Sequence, residues 1–164
     1  MQQAHYNVLF LCTANSARSI MAEAILNHRG KGRFSGFSAG SNPVESVRPE
    51  ALKQIEIAKI PTAGLKSKSW FDFSKVDSPV MNFIFNVSDE LTPQEWPVWP
   101  GHPMIAHWAI PDPVAAQGTP EEINHAYWDA FLTLDRRIGL FISLPISSLN
   151  QMSLKTEIEK IAKA

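Results

Sequence analysis

The sequence predicts an α/β fold: a three-layer sandwich around a four-stranded parallel sheet in the order 2-1-3-4. Continuous apolar runs, of the kind that strands buried on both faces need, recur along the chain. Segments with helical spacing alternate with these runs, which is typical of a doubly wound sheet with helices on both faces. At 164 residues the chain has the size of one domain. We therefore expect one domain over residues 1–164, with residues 146–164 as a helical extension.

The first strand and the first helix are predicted within residues 6–28. Residues 8–11 read Val-Leu-Phe-Leu, and Met21, Ala24 and Ile25 then recur at helical spacing. After the first pattern come Cys12, Thr13, Ala14, Asn15, Ser16, Ala17, Arg18 and Ser19. We call residues 12–19 the anion loop, because its place between a strand end and a helix start favours an oxyanion.

Three side chains of the anion loop are candidates for chemistry. A strand-to-helix loop directs successive N–H groups and the positive helix end into one concavity, which favours the thiolate of Cys12. The planar fork of Arg18 can bind two oxygens of a tetrahedral anion. Ser19 can donate a hydrogen bond to the thiolate. The alternative is that Cys12 is a small buried hydrophobic residue.

A second strand is predicted over residues 34–39, after a helix stop at residues 29–32 in which glycine supplies a left-handed C-cap. The small residues 38–40 should pack against the anion loop. A helix follows over residues 49–58. Residues 41–47, between this strand and this helix, contain no aromatic side chain.

A third strand is predicted over residues 81–87, and polar Ser88 and Asp89 follow it. Because ligands bind at the carboxyl ends of parallel strands, both should lie near Cys12. We expect Asp89 to stabilise the loop and not to act in catalysis. The proline-rich residues 93–103 are predicted to form a surface loop that its own tryptophans pack.

The last strand is predicted over residues 104–110 and leads into Pro111-Asp112-Pro113. The two prolines stiffen the backbone around Asp112, so its carboxyl can be held over the mouth of the site. The alternative is an ordinary Asp-Pro turn. A long helix should begin after Thr119 as N-cap and end near Ile142. The tail is predicted to form a last helix, which either covers the domain or meets a partner.

Several motifs together resemble the low-molecular-weight protein tyrosine phosphatases and, within that fold, the arsenate reductases. The resemblance runs from about residue 6 to about residue 143. It rests on the anion loop with the following Met-Ala-Glu-Ala, on residues 37–40, on residues 97–103 and on residues 107–113. It implies that Cys12 attacks the anion, that Arg18 stabilises the transition state and that Asp112 is the general acid. It further implies that Ser19 stabilises the thiolate, while the loop residues Thr13, Ala14, Asn15, Ser16 and Ala17 bind the oxyanion.

The chain departs from this family in its cysteines. Thioredoxin-coupled reductases carry two further cysteines, one where this chain has Ser88 and one where it has Glu95-Trp96-Pro97. Some members have another in place of Ala17. This sequence contains one cysteine, so an internal disulfide relay is impossible. If the chain reduces arsenate, glutathione or mycothiol with glutaredoxin or mycoredoxin must supply the other sulfur atoms.

Three functions remain open on the sequence. The preferred hypothesis is reduction of arsenate to arsenite through a Cys12 adduct, because residues 41–47 lack an aromatic residue to stack on a phenyl ring. Trp70 and Phe71 are alternative candidates for the rim of the site, or ordinary packing residues. The second possibility is phosphomonoester hydrolysis through a cysteinyl-phosphate. The third is a non-catalytic oxyanion-binding domain.

Composition argues against other classes of function. The formal net charge of −1 gives no electrostatic footprint for nucleic acid or an anionic membrane. No cationic N-terminal segment precedes an apolar core, and no apolar run approaches the roughly 20 residues that span a bilayer, so we expect a cytoplasmic protein. The five histidines show no ligand spacing with each other or with Cys12, and we predict neither a metal nor a bound cofactor.

Overall fold

The computed structural model describes residues 4–89 and 96–164. Its strands are β1 (Tyr6–Cys12), β2 (Phe34–Gly40), β3 (Phe83–Asn86) and β4 (Met104–His107). Its α-helices are α1 (Arg18–Arg29), α2 (Pro49–Ile57), α3 (Pro120–Ile142) and α4 (Gln151–Ile161). Short 3₁₀ helices lie at Trp70–Phe73, Pro113–Ala115 and Ile146–Ser148. Residues 90–95, which contain part of the predicted proline-rich loop, lie outside the described residues.

The four strands form one parallel sheet in the order β2-β1-β3-β4, so the predicted topology is confirmed. β1 is central: Cys12 lies opposite Gly40 of β2, and Leu11 lies opposite Asn86 of β3. The carboxyl ends of β1, β2 and β3 therefore meet at one edge of the sheet. This edge is where the anion loop leaves β1.

Both faces of β1 are covered, which explains its continuous apolar run. Val8 and Phe10 belong to the larger core cluster, beneath the α-helices. Leu9 and Leu11 belong to a smaller cluster on the other face, where the 3₁₀ helix Trp70–Phe73 packs. The sheet thus lies between two layers, as the predicted three-layer fold requires.

The structure confirms one predicted helix end and locates the left-handed glycine of another. Thr119 begins α3 with a full capping box, in which its side chain accepts from the Glu122 N–H and Glu122 bonds the Thr119 N–H in return. The left-handed glycine of the predicted stop signal is Gly32, with φ 90°, whereas the C-cap residue Gly30 has φ −97°. Gly30 is required for space instead: a Cβ there would lie 2.9 Å from the Leu26 carbonyl oxygen.

The third and fourth strands are shorter than the sequence predicts. β4 ends at His107, which lies opposite Asn86, the last residue of β3. Trp108 follows and faces the core, where its ring stacks on Phe85 with 4.0 Å between the ring centroids. The Trp108 indole N–H donates to the Ile158 carbonyl oxygen of α4 at 3.1 Å. α4 therefore covers the end of β4, which is the first of the two roles that the sequence leaves open for the tail. No helix within residues 4–89 and 96–164 has the length and apolar character needed to span a membrane.

A buried tyrosine connects α2 and α3 below the mouth of the site. Tyr127 of α3 is 1% exposed, and its phenol lies near the carboxylate of Glu50 of α2. Burial, and then the negative charge of Glu50, raise the pKa of Tyr127 to about 12. The folded chain therefore holds the phenolic proton more tightly than the unfolded chain does.

This pKa predicts a loss of stability in alkali. The contribution of Tyr127 is fully present below pH 10 and disappears as the pH rises from 10 through 12, a loss of up to about 3 kcal/mol. Urea unfolding of the wild type and of Tyr127→Phe at each pH isolates this loss, because the other titrating groups are common to both proteins. A difference in unfolding free energy that stays constant to pH 12 would contradict it.

Candidate active site

The anion loop closes around a buried turn between β1 and α1. Asn15 adopts φ 50°, a left-handed conformation that asparagine tolerates better than most residues. Asn15 is fully buried, and Cys12 and Ala17 are each 2% exposed. In the described part of the chain, no side chain caps the start of α1 and its first turn carries no acid. The N–H groups and the helix dipole at this end are therefore available to an anion.

Residues 41–48 hold the loop from outside through its carbonyl oxygens. The N–H groups of Asn42 and Val44 donate to the Thr13 and Ala14 oxygens at 2.8 and 3.2 Å. The Ser41 N–H donates to the Cys12 carbonyl oxygen at 3.3 Å, and the Arg48 N–H donates to the Ser16 carbonyl oxygen at 2.9 Å. Because C=O and N–H of one peptide unit point in opposite directions, these bonds aim the loop's N–H groups inward.

Gly40 allows the outer segment to come this close. A Cβ at Gly40 would lie 2.5 Å from the Thr13 oxygen and 2.9 Å from the Asn15 nitrogen. Both are backbone atoms, which cannot rotate away. The predicted packing against the anion loop is therefore observed at Gly40, and its physical basis is a missing side chain.

The sulfur of Cys12 faces two donors of the loop. Ser19 Oγ lies 2.9 Å from Sγ, and the Asn15 N–H donates to Sγ at 3.3 Å. Donors around a sulfur stabilise its anionic form more than its neutral form. The arrangement therefore suits a thiolate.

A chain of hydrogen bonds sets the direction of the Ser19 proton. The Lys68 N–H donates to Asn15 Oδ1 at 2.7 Å, which fixes the orientation of the Asn15 amide. Asn15 Nδ2 then donates to Ser19 Oγ at 2.7 Å. With its oxygen accepting this bond, Ser19 turns its own proton toward Cys12 Sγ. The Lys68 side chain is itself held, by Glu23 at 3.4 Å and by Ser38 at 3.4 Å.

Arg18 is buried beside the loop and binds two carboxylates. Its side chain is 3% exposed. Nη1 donates to Asp89 Oδ1 at 3.2 Å and to the Ile110 carbonyl oxygen at 3.1 Å, and Nη2 lies 3.5 Å from Asp112 Oδ2. The guanidinium is thereby fixed in place by residues that follow β3 and β4, and its charge is balanced.

Asp112 reaches the site as the N-cap of the 3₁₀ helix Pro113–Ala115. Its Oδ1 accepts from the Val114 N–H at 3.0 Å, so that Oδ2 points toward Arg18. The Asp112 side chain is 27% exposed, against 54% for Asp89. The Asp-Pro turn that the sequence left as an alternative therefore exists, and the same turn presents the carboxyl to the site.

The structure brings together the side chains that the sequence selected and adds others. Cys12, Arg18, Ser19 and Asp112 all lie around the carboxyl end of β1. Asp89 lies there too, as expected, but its ion pair with Arg18 was not foreseen. The hydrogen bonds from residues 41–48 and from Lys68 were also missed, because backbone donors leave no signal in side-chain identity.

The two aromatic candidates for the rim have different environments. Trp70 is 6% exposed and packs edge-on against Trp96 and Trp99, so it is a core residue. Phe71 is 57% exposed at the neighbouring position. Within residues 4–89 and 96–164, no three His, Cys, Asp or Glu side chains are grouped so that they could hold a metal ion.

Comparisons with known proteins agree with this geometry. Residues 7–84 match the family model of the low molecular weight phosphotyrosine protein phosphatases. An arsenate reductase of Shouchella clausii is 30% identical over 135 residues, which cover 80% of this chain and 88% of the relative. A glutaredoxin arsenate reductase of Synechocystis is 28% identical over 106 residues, 65% of this chain and 77% of the relative.

A solved structure has the same fold. The low molecular weight protein tyrosine phosphatase of T. tengcongensis superposes with a TM-score of 0.63 at 21% identity, over 82% of this chain and 95% of that one. The chain belongs to the low-molecular-weight phosphotyrosine phosphatase superfamily, together with the arsenate reductases that it matches. It is an enzyme of that superfamily, which argues against the non-catalytic alternative.

Substitution of Gly40 should disrupt the site through the backbone. In Gly40→Ala the added Cβ must push residues 13–15 away, and overpacking of this kind costs about 1–3 kcal/mol. We expect lower stability in urea and weaker inhibition by inorganic phosphate, because the displaced N–H groups no longer converge.

Gly36→Ala on the same strand is the matched control. Its Cβ would lie 3.2 Å from the Glu23 carbonyl oxygen, on the side of α1 and away from the anion loop. We expect it to leave the inhibition constant for phosphate unchanged. Phosphate inhibition of Gly40→Ala equal to that of the wild type would contradict the close approach.

Proposed function

We propose that this enzyme reduces arsenate to arsenite through an adduct on Cys12, which a thiol from outside the chain resolves. One observation carries the proposal. The sulfur of Cys12, the inward N–H groups of its loop and the guanidinium of Arg18 converge at one sheet edge, in a sequence that contains no second cysteine. The first three features suit attack on a tetrahedral oxyanion, and the last requires an external reductant.

The first step is formation of a sulfur–arsenic bond. Arsenate is held by the loop N–H groups and by Arg18, which stabilise the charge on its oxygens. The Cys12 thiolate attacks arsenic, and one hydroxyl group of arsenate departs with the bonding electrons. Asp112 in its protonated form gives that hydroxyl group a proton, so that it leaves as water. Arsenic is still As(V) after this step.

The second step transfers two electrons to arsenic. An external thiolate attacks Sγ of Cys12, a disulfide bond forms, and the sulfur–arsenic bond breaks with its electron pair on arsenic. Arsenite, As(III), is released, and Cys12 remains in a mixed disulfide. A further thiol attacks this disulfide and restores the Cys12 thiolate. The two external thiols are oxidised to one disulfide, which balances the reduction.

An external thiol fits the residues around the site. Ser88 follows β3, 3.5 Å from Thr13 at the hydroxyl oxygens, at a position where a relay cysteine would reach the loop. The name of the Synechocystis relative indicates that glutaredoxin takes part in its reaction. Glutathione with a glutaredoxin, or mycothiol with a mycoredoxin, are therefore the reductants that we propose.

A small inorganic anion fits the segment that encloses the loop. The segment 41–48 uses its N–H groups to hold the anion loop and offers no aromatic ring to a substrate. Arsenate and phosphate need no such ring, whereas an aryl phosphate gains affinity from stacking on one.

Phosphomonoester hydrolysis is the second candidate, and the match to the phosphatase family model favours it. The first step is the same, with phosphorus in place of arsenic and the alcohol as leaving group. Asp112 gives the alcohol a proton and then activates water against the cysteinyl-phosphate. The two functions differ in the nucleophile that resolves the Cys12 adduct: water in one, a thiolate in the other.

The direct test is arsenate-dependent oxidation of NADPH by the purified enzyme. It is coupled in parallel to glutathione with glutaredoxin, to mycothiol with mycoredoxin, and to thioredoxin, with Cys12→Ser as the inactive control. We expect turnover with a low-molecular-weight thiol and none with thioredoxin alone. Hydrolysis of para-nitrophenyl phosphate without arsenate turnover in any coupled system would show that the chain is a phosphatase.

Asp112→Asn tests the general acid. The amide keeps the shape of the side chain and can still accept from the Val114 N–H, but it cannot give up a proton. We expect kcat to fall by about 10²- to 10⁴-fold, the range that general acid catalysis supplies. Steady-state kinetics with arsenate and with para-nitrophenyl phosphate measure the loss, and a kcat near that of the wild type would exclude Asp112 as the acid.

A further inference from the structure

A second buried arginine lies beneath the segment that carries Asp112. Arg137 of α3 is 7% exposed. Its Nη1 donates to the Trp108 carbonyl oxygen at 2.9 Å and to the Ala109 carbonyl oxygen at 3.4 Å, and its Nε donates to the Ala164 oxygen at 3.2 Å. Burial, and then the charge of Arg136, lower the pKa of Arg137. The folded protein thus holds this cation in a buried position, although water would solvate it better.

Beyond the end of β4, Arg137 supplies the hydrogen-bond donors that a neighbouring strand would otherwise provide. β4 stops at His107, so the oxygens of Trp108 and Ala109 lie beyond its ladder. Buried carbonyl groups need donors, and a planar guanidinium can serve two oxygens from one side chain. The next oxygen, that of Ile110, is bound by Arg18 at 3.1 Å. Two buried guanidinium groups, one from α1 and one from α3, therefore hold three successive carbonyl oxygens.

We propose that Arg137 is a positioning residue that sets the place of the Asp112 carboxyl over the site. From Ile110 the chain reaches Asp112 through Pro111 alone, and proline fixes φ near −65°. The backbone position of residues 108–110 therefore determines the position of Asp112, with little conformational freedom between them. Arg137 touches neither the anion loop nor Asp112 in the contacts described, so its effect on the reaction passes through this backbone.

This inference rests on the proposed function, in which Asp112 gives a proton to the leaving oxygen. It predicts a selective defect. Loss of Arg137 should impair proton donation, whereas oxyanion binding by the loop and by Arg18 should persist. A merely structural arginine would instead lower stability and all steps of the reaction together.

The test combines Arg137→Met with Asp112→Asn in a double-mutant cycle. Arg137→Met removes the fork and fills a similar volume, and we expect kcat to fall by about 100-fold, the effect of a misplacement of about 1 Å. The KM and the inhibition constant of inorganic phosphate should stay as in the wild type. In the Asp112→Asn background, Arg137→Met should cause no further loss, since the group that it positions is already inactive.

Two further variants control the experiment. Arg136→Met removes the neighbouring exposed cation of α3 and should leave kcat unchanged. Arg137→Lys keeps the charge but not the planar fork, so it should show a smaller loss of kcat with the same dependence on Asp112. If Arg137→Met does not fold, the cycle is made with Arg137→Lys. Losses that multiply independently in the double variant would overturn the inference.

A crystal structure of Arg137→Met, or of Arg137→Lys in its place, separates this inference from the proposed function. We expect the Asp112 carboxyl to move away from Arg18 while residues 12–17 stay in place. An unmoved carboxyl would overturn the positioning role whatever the activity. If the wild type turns over neither arsenate nor para-nitrophenyl phosphate, the proposed function fails, and the crystal structure alone decides the role of Arg137.

Discussion

The hydrogen bonds between residues 41–48 and the carbonyl oxygens of the anion loop determine the geometry on which the rest of the site depends. Each bond turns one peptide unit of the loop so that its N–H faces inward. They form only because Gly40 lets two backbone segments meet without an intervening Cβ. The parallel pairing of β1 with β2 brings Gly40 opposite Cys12. The inward direction of the loop's N–H groups is therefore a consequence of sheet register and of one glycine.

Arg18 links the charged side chains of Asp89 and Asp112 beside the anion loop. Arg18 ties the loop to the residues that follow β3, through Asp89, and to those that follow β4, through Ile110 and Asp112. An oxyanion that binds the same guanidinium competes with two carboxylates already in place. We infer that Asp89 and Asp112 hold Arg18 in position when no anion is bound, and that a bound anion displaces part of this contact. In the absence of the anion, the two carboxylates compensate the buried charge of the arginine.

Much of the fold could be predicted because strand burial and helix capping depend on the types of residue close together in the sequence. The run of residues 8–11 and the Thr119 capping box are examples. Cys12, Arg18 and Ser19 were recognisable because they share one loop, and Asp112 because prolines flank it. The Arg18–Asp89 and Arg137–Trp108 contacts were not recognisable, because their partners meet only in the folded protein. The partners are separated by 71 positions in the first contact and by 29 positions in the second. The early end of β4 likewise depends on its pairing with β3, whose last residue, Asn86, lies opposite His107.

Intact-mass spectrometry can show whether an external thiol resolves the adduct at Cys12. The enzyme is incubated with glutathione, and separately with mycothiol, with and without arsenate, in the absence of any redoxin, and the product is mapped by peptide digestion. We expect one mixed disulfide, located on Cys12, that forms when arsenate is present and accompanies the release of one arsenite. Arsenite release with Cys12 left unmodified, or the same disulfide formed equally well without arsenate, would contradict this expectation.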